Sequence, residues 1–400
     1  MNAKVSELRR AANGQFQEKK YSEALSTYSK AINLIRSPPV QQQSWTAWFS
    51  SSSSSSTSTS NVSTASDAAL TVASQPDVPF DVVDVLAHLY CNRSICNYRL
   101  YNLTASLEDA VEAHKLLPEW FKPLYRQAEV HFQKQRYEKA LQLFQQSRKS
   151  PSIAPTDVAL IESRIFRSEI ACKDLSRHNL QIIQLKPGFE ICRPGSMLIY
   201  PISNQIWQFA RQMQNFIYLI CNTRTKECLV VDACWDIDGI LSYVKGLGMR
   251  VVGCILTHFH IDHAGGIPPA PFDKFRVRVG GIVSLLGKLG KSVPAYMNHA
   301  DLPLLLESNP ELDASRIIDS PDGFSLSLGT GGDAIKIRFM HTPGHSKGSQ
   351  CVLVNGNRLL TGDTMFVGSC GRVDFPDSDC DQMIDSLTRR IGQLPEETLV

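Results

Sequence analysis

Apolar positions fall at helical spacing through the first 150 residues, and the chain after about Asn179 carries short apolar runs cut by turn residues. Leu8, Ala12 and Phe16 lie on one helical face, and Ala24, Leu25, Tyr28, Ala31 and Ile32 on another, predicting two helices within 3–36. The pattern recurs. Tyr21-x-x-Ala24-x-x-x-Tyr28-x-x-Ala31 returns as Tyr137-x-x-Ala140-x-x-x-Phe144-x-x-Ser147, with a weaker copy, Leu103-x-x-Ser106-x-x-x-Ala110-x-x-Ala113, thirty-four residues before the last. Small residues in fixed register let helices approach closely, so the repetition predicts stacked helix pairs at 3–36, 80–117 and 118–150. A solvating end helix is expected around 156–175.

Further on, Gln181–Leu185, Phe216–Ile220 and Cys228–Asp232 read as strands. Asp236 to Gly246 reads as a helix, and Arg250–Leu256, Ile335–Met340 and Arg358–Leu360 as further strands. A helix from Gln382 to Gln393 precedes a strand opening at Thr398, which predicts that the fold continues past Val400.

Four hundred residues exceed one typical domain. The pattern divides them into an all-α repeat domain (1–150), a capping helix and linker (151–178) and an α/β domain (179–400). Unbroken serine from Ser50 to Ser56 sits in a low-complexity stretch at 37–79, which reads as a disordered insertion between the first two repeats. A net charge of +2 argues against a nucleic-acid or anionic-membrane partner. Eleven scattered cysteines form no Cys-x-x-Cys pair, which suits a reduced, cytoplasmic protein better than a disulfide framework. The first ten residues lack a signal-peptide core, and no apolar run is long enough to span a bilayer.

Chemistry concentrates in Thr257-His258-Phe259-His260-Ile261-Asp262-His263-Ala264-Gly265-Gly266, directly after an apolar, β-branched run. At a strand end, a spacing of two points His258 and His260 the same way, able to hold one metal ion, while Asp262 and His263 turn toward a neighbouring position. Imidazole and carboxylate donors suit zinc or iron, at about 2.0–2.2 Å for zinc. His299, in Asn-His-Ala-Asp, reads as a surface or capping residue, and the basic stretch 268–300 as a surface insertion with a possible lid role.

His-x-His-x-Asp-His followed by Gly-Gly resembles the signature of the metallo-β-lactamase fold superfamily, an αββα sandwich. Thr342-Pro343-Gly344-His345-Ser346 and Thr361-Gly362-Asp363-Thr364 follow in the expected order, and the likeness runs from about Phe216 to the end. The resemblance implies one metal held by His258, His260 and His345, and most of a second site from Asp262, His263 and Asp363. Two divalent ions, zinc first and iron second, are then the expected cofactors. It further implies a metal-dependent hydrolase of the glyoxalase II type (hydroxyacylglutathione hydrolase-like) acting on a small-molecule thioester or related ester. There Asp363 bridges the metals, Asp262 ligates and orients the attacking hydroxide, Asp232 orients the site from outside, and His341 is structural. Dinuclear relatives supply a last histidine from a further Pro-Gly-His loop after a helix and a strand, beyond Pro343-Gly344-His345, and that second loop does not occur in these 400 residues.

Persulfide dioxygenases of the same superfamily hold one iron through residues matching His258, His345 and Asp363, and Cys370-Gly371-Arg372-Val373-Asp374-Phe375 resembles their text. Arg372 is the expected cation for a substrate carboxylate, but Asp374 departs from the tyrosine usual in glyoxalase II. The repeats resemble tetratricopeptide modules that grip the carboxylate-rich C-terminal tails of heat-shock chaperones. Their clamp positions fall on Arg9, Asn13, Asn92, Lys122 and Arg126, where fork-like and point-charge donors alternate with amides. An adaptor that works through its repeats, with a weak enzyme attached, is the remaining alternative.

Overall fold

A computed structural model of the chain describes residues 2–36, 82–188, 190–192, 209–210, 212–213, 215–268 and 278–400. The stretch 37–79 expected as an insertion lies outside them. The chain forms two compact units, Met1–Cys172 and Lys173–Val400.

The first unit is all-helical: α1 (Asn2–Gln17), α2 (Tyr21–Arg36), α3 (Val82–Arg99), α4 (Leu103–Leu116), α5 (Phe121–Gln133), α6 (Tyr137–Arg148) and the start of α7 (Pro155–His178). The repeated positions face inward. Ala24, Tyr28, Ala31, Ser106, Ala110, Ala113, Ala140, Phe144 and Ser147 are all buried. The backbone repeats as well. Lys19, Tyr101 and Gln135 each sit two residues before the second helix of a pair, with φ of 60°, 61° and 58°. Each is followed by an amide that reaches five residues back, Lys20 to Gln15, Asn102 to Asn97 and Arg136 to His131, at 2.8–2.9 Å. That is the left-handed C-terminal cap, which satisfies carbonyls the helix would otherwise orphan. Three equal caps give the helix pairs equal turns.

The second unit layers two sheets. In the first sheet, β1 (Leu180–Leu185), β2 (Ile217–Asn222), β3 (Glu227–Val231), β4 (Arg250–Ile255), β5 (Ala295–Met297) and β6 (Ile317–Asp319) lie in that order. Pairing is antiparallel from β1 to β3 and parallel from β3 to β6. The second sheet runs β10 (Arg358–Leu360), β9 (Gln350–Val354), β8 (Ile335–His341), β7 (Ser325–Leu328), all antiparallel. Period-two alternation explains the layering. Ile220, Leu229, Val231 and Ile255 meet Ile335, Ile337, Phe339, Val352 and Val354 between the sheets. Leu219, Cys221, Cys228, Val230 and Cys254 point the other way, into a core with α8 (Ile237–Gly246). The outer face of the second sheet packs Cys351 and Leu353 against Ile391. This is an α/β domain of two sheets following an all-helical repeat region.

The expectation of a surface insertion at 268–300 needs correction where that stretch is described. Residues 279–297 supply α10 (Ile282–Lys288) and β5, and Ile282, Leu285, Ala295 and Met297 are fully buried. Glycine and lysine between the core positions disguise a helix and a strand of the main sheet. Between β4 and α10 lies the short α9 (Ile261–Ala264). After β5 comes a 3-10 turn (His299–Asp301) that leads into α11 (Leu302–Ser308). The expected terminal helix opens two residues early as α12 (Cys380–Asp385), then widens into a π turn (Ser386–Arg390) and tightens into a 3-10 turn (Ile391–Gln393). Leu399 pairs with Asn357 and Leu359 at the edge of β10. No helix among the described residues is long and apolar enough to cross a membrane.

Candidate metal centre

Loops at one end of the two sheets carry the singled-out residues. Parallel neighbours β3 and β4 end together, placing Asp232 beside Thr257. Open α/β sheets put their sites at this end because the loops diverge from the carboxyl ends of the strands. Asp232 sits at φ 55°, a left-handed conformation that aspartate tolerates better than most residues. Its carboxylate is buried and fully used. Oδ1 accepts from the Thr257 amide at 2.8 Å, and Oδ2 accepts from the Thr257 hydroxyl at 2.7 Å and from His263 Nδ1 at 2.8 Å. Thr257 Oγ1 in turn lies 3.0 Å from His258 Nδ1. His345 Nδ1 donates to the Arg372 carbonyl at 2.7 Å.

With Nδ1 of three rings anchored, the Nε2 atoms face inward. Those of His258 and His263 are buried and have no hydrogen-bond partner among the described residues. Donor atoms of His258, His260 and His345 lie within 4.8 Å of one another, and so do those of His258, His263 and Asp363. His258 belongs to both groups. His260 Nδ1 is 2.9 Å from His345 Nε2, and Asp363 lies 3.2 Å from His263 Nε2 and 3.4 Å from His345 Nε2. Asp262 stands at the edge of the cluster, Oδ2 3.6 Å from His263 Nε2. Orphaned imidazole nitrogens this deeply buried are costly without a partner, and anchored rings with converging lone pairs are what a metal ion requires. The donor set fits a divalent ion.

Electrostatics follow from burial. Desolvation and three neighbouring imidazoles hold His258 well below the ordinary histidine value, and desolvation with His345, His263 and Arg372 brings His260 down to about 3 against the pull of Asp363. Burial opposes charge on His263 too, but Asp363, Asp262 and Asp232 outweigh it and raise that imidazole well above its usual value. Burial raises Asp262. Asp363 is desolvated as well, yet His263 and His345 keep it below the carboxylate norm.

Several supporting residues carry no recognisable motif. The Cys234 thiol donates to the Asp262 carbonyl at 2.6 Å, Asn215 Nδ2 donates to the same oxygen, and Trp235 Nε1 holds Asn215 Oδ1 at 2.8 Å. Gln350 ties the two sheets, its side-chain amide donating to Leu256 O at 2.8 Å and its backbone amide to Thr257 O at 2.9 Å. Gly344, at φ 141°, lets the His345 loop lie flat on α12, where an added Cβ would sit 2.5 Å from Met383 Cα. The Asp379 amide and the Ser386 hydroxyl, each at 2.7 Å, bind the Gly344 and Pro343 carbonyls from below.

Arg372 is exposed and gripped bidentately by Asp374 at 2.8–2.9 Å. Its guanidinium rests 4.4 Å from the centre of Phe375, whose ring meets His260 edge-on at 5.1 Å. The cation at this rim is therefore already neutralised. His341 Nε2 donates to Lys347 O, 2.8 Å away, outside the cluster, and His299 is exposed beside Ile317 O.

In the helical unit, Arg9, Asn13, Asn92, Lys122 and Arg126 come from α1, α3 and α5. Arg9 and Lys122 both act on His88, and Lys122 and Arg126 both act on Cys91, so the cations share one neighbourhood. Tyr28 OH donates to Asn13 Oδ1 at 2.7 Å, and Asn92 Nδ2 is buried with no acceptor in hydrogen-bonding geometry among the described residues. Arg126 is buried and paired with Glu129 at 2.6 Å. Burial lowers Arg9 and Lys122, with Asp84 and Asp157 partly offsetting it.

Residues 210–400 match the Metallo-beta-lactamase superfamily. An uncharacterized protein of Aquifex aeolicus is 31% identical over 192 residues, 46% of this chain and 80% of that protein. The chain belongs to the metallo-β-lactamase superfamily through this region. A probable polyketide biosynthesis zinc-dependent hydrolase, BaeB of Bacillus velezensis, is 26% identical over 49% of this chain and 76% of its own length. A hydroxyacylglutathione hydrolase-like protein of Gallus gallus is 29% identical over 46% of this chain, which spans only 56% of that relative. Among solved structures, the TPR2B domain of yeast Sti1, in complex with a pHsp70 peptide, overlaps 42% of this chain and 98% of its own at 15% identity and a TM-score of 0.29.

Proposed function

We propose that the second unit hydrolyses a thioester or related ester with divalent metal, zinc before iron, and that the repeats hold the acidic C-terminal tail of a heat-shock chaperone. The observation that carries the enzymatic reading is the convergence of buried imidazole nitrogens: His258 Nε2 has no hydrogen-bond partner among the described residues, His263 Nε2 faces the Asp363 carboxylate at 3.2 Å, and each ring is fixed through its other nitrogen. His258, His260 and His345 would hold one ion, and His263 with Asp363 would hold a second, sharing the space beside His258. Bound there, a divalent ion lowers the pKa of a water and polarises a carbonyl, the chemistry of ester and thioester hydrolysis. The chain's own part is geometric and protonic. Asp232 fixes the His263 tautomer, Cys234 and Asn215 hold the Asp262 backbone, and the raised Asp262 carboxyl can take and return a proton at its Oδ atoms.

The proximity of Asp363 to His345 also suits a single iron held by His258, His345 and Asp363, the persulfide dioxygenase arrangement. Metal content per chain after chelator-free purification, read with activity, separates the readings. Zinc with hydrolysis of S-lactoylglutathione or a simpler thioester is the expected result. Iron with oxygen uptake on a persulfide would replace the hydrolase, and no bound metal would overturn both.

In the repeats, the buried Asn92 amide, with no acceptor in hydrogen-bonding geometry among the described residues and beside Tyr28, on which Arg9 also acts, supports a carboxylate-bearing ligand. The small-molecule reaction and the chaperone contact are independent parts of this reading.

A further inference from the structure

Asp301 lies in the 3-10 turn after β5, two residues beyond His299, and is completely buried. Among the described residues no cation pairs with it. Its carboxylate is satisfied instead by three donors from the two loops that carry the histidines. Ser346 Oγ donates to Oδ2 at 2.6 Å and the Gly348 amide donates to Oδ1 at 2.6 Å, while the Phe259 amide, from the other loop, favours the charged form of the carboxylate. Phe259 separates His258 from His260, and Ser346 follows His345. The His345 loop closes on itself over the same point, the Ser346 amide donating to Ser349 Oγ at 3.1 Å. Contact is tight enough that a Cβ at Gly348 would sit 2.6 Å from Asp301 Cγ.

A carboxylate accepts without donating, so one buried Asp301 can bind three donors that would otherwise repel a shared neighbour. An isolated buried charge is expensive, and hydrogen bonds to the charged form are what make it tolerable. We propose that Asp301 is a positioning residue of the metal centre: it locks the His258–His260 loop to the His345 loop, setting the separation of the three imidazoles. This rests on the metal-site reading. An amide in its place loses the negative charge and keeps one acceptor, and its N–H is accommodated only by a Ser346 hydroxyl turned to accept, so Asp301→Asn should loosen the two loops. Ser346→Ala removes one donor only and should act in the same direction more weakly.

Zinc affinity, measured by competition with a chromogenic chelator, and the visible absorption of the cobalt(II)-loaded full chain test this together. Asp301→Asn is expected to bind zinc about 10–100-fold more weakly, the usual cost of losing a partner that orients a ligand. Its cobalt bands should shift, and Ser346→Ala should fall between it and the wild type. Asn222→Ala serves as the control. It is equally buried and hydrogen-bonded to Leu328 O and to the Arg224 and Thr225 amides, in the turn between β2 and β3, and should lower thermal stability with the cobalt spectrum unchanged. Wild-type zinc affinity and an unshifted spectrum in Asp301→Asn would overturn the assignment, as would an equal shift in Asn222→Ala. Absence of zinc binding in the wild type would instead overturn the metal reading on which it stands.

Discussion

In the proposed reading the histidine cluster and the five polar residues of the repeats each hold polar groups for a charged ligand, by opposite means. In the cluster three rings are anchored at Nδ1, and the groups that face their Nε2 atoms are themselves candidate ligands, His260 toward His345 and Asp363 toward His263, so an ion displaces no outside partner. In the repeats Glu129 holds Arg126, and Tyr28 holds Asn13. A preorganised site spends little on reorganisation, whereas a groove with internal pairs must exchange them for the ligand's. The first arrangement favours tight, nearly permanent occupancy, the second reversible docking.

Three variants probe that contrast. His258→Ala should have the largest effect, because both donor groups share this ring. Metal content should fall to background and hydrolysis with it, exceeding the ~10–100-fold that losing an outer partner costs. Atomic absorption alongside a thioester assay would show this, and retention of one ion per chain would mean the two groups are separable. Lys122→Glu should weaken binding of an acidic C-terminal peptide by at least ~10-fold, about 1.4 kcal/mol, and leave metal content untouched. Titration by fluorescence anisotropy checks it, and unchanged binding removes the groove from the comparison.

The smallest effect concerns pH. Burial keeps the His88 imidazole, stacked 4.2 Å from Trp120, below the ordinary value of 6.5. The unfolded chain therefore takes up a proton that the folded helix refuses. Stability present above about pH 6.5 is lost as the pH falls below it, until the folded value is reached. Hydrogen exchange of α3 in the full chain, corrected for intrinsic rates, should show less protection at mildly acid pH, and His88→Gln should flatten the dependence.

Much of this was legible in the sequence where one chemical type repeats at short spacing. Three histidines and an aspartate within six residues have few other uses, and the alternating Tyr, Ala and Ser positions lie inward in each repeat helix. The equal turns between helices were not legible. They are made by Lys19, Tyr101 and Gln135, three residues with nothing in common but their backbone angle. Asp301, Asn215 and Cys234 were hidden for another reason. Each acts on residues 28 to 47 positions away, across loops that only the sheets bring together. Residues 279–297 were misread because Gly280, Gly281 and Gly287 break the apolar period that α10 and β5 still satisfy in three dimensions.

The seating of the His345 loop on α12 carries a consequence in time. Asp379 and Ser386 hold the carbonyls of Pro343 and Gly344, and Met383 leaves no room for a side chain at Gly344. During synthesis the His258 loop emerges more than a hundred residues before those supports. The early histidines must wait, unpaired with their distant partner, until the stretch around Ser386 has left the ribosome and docked.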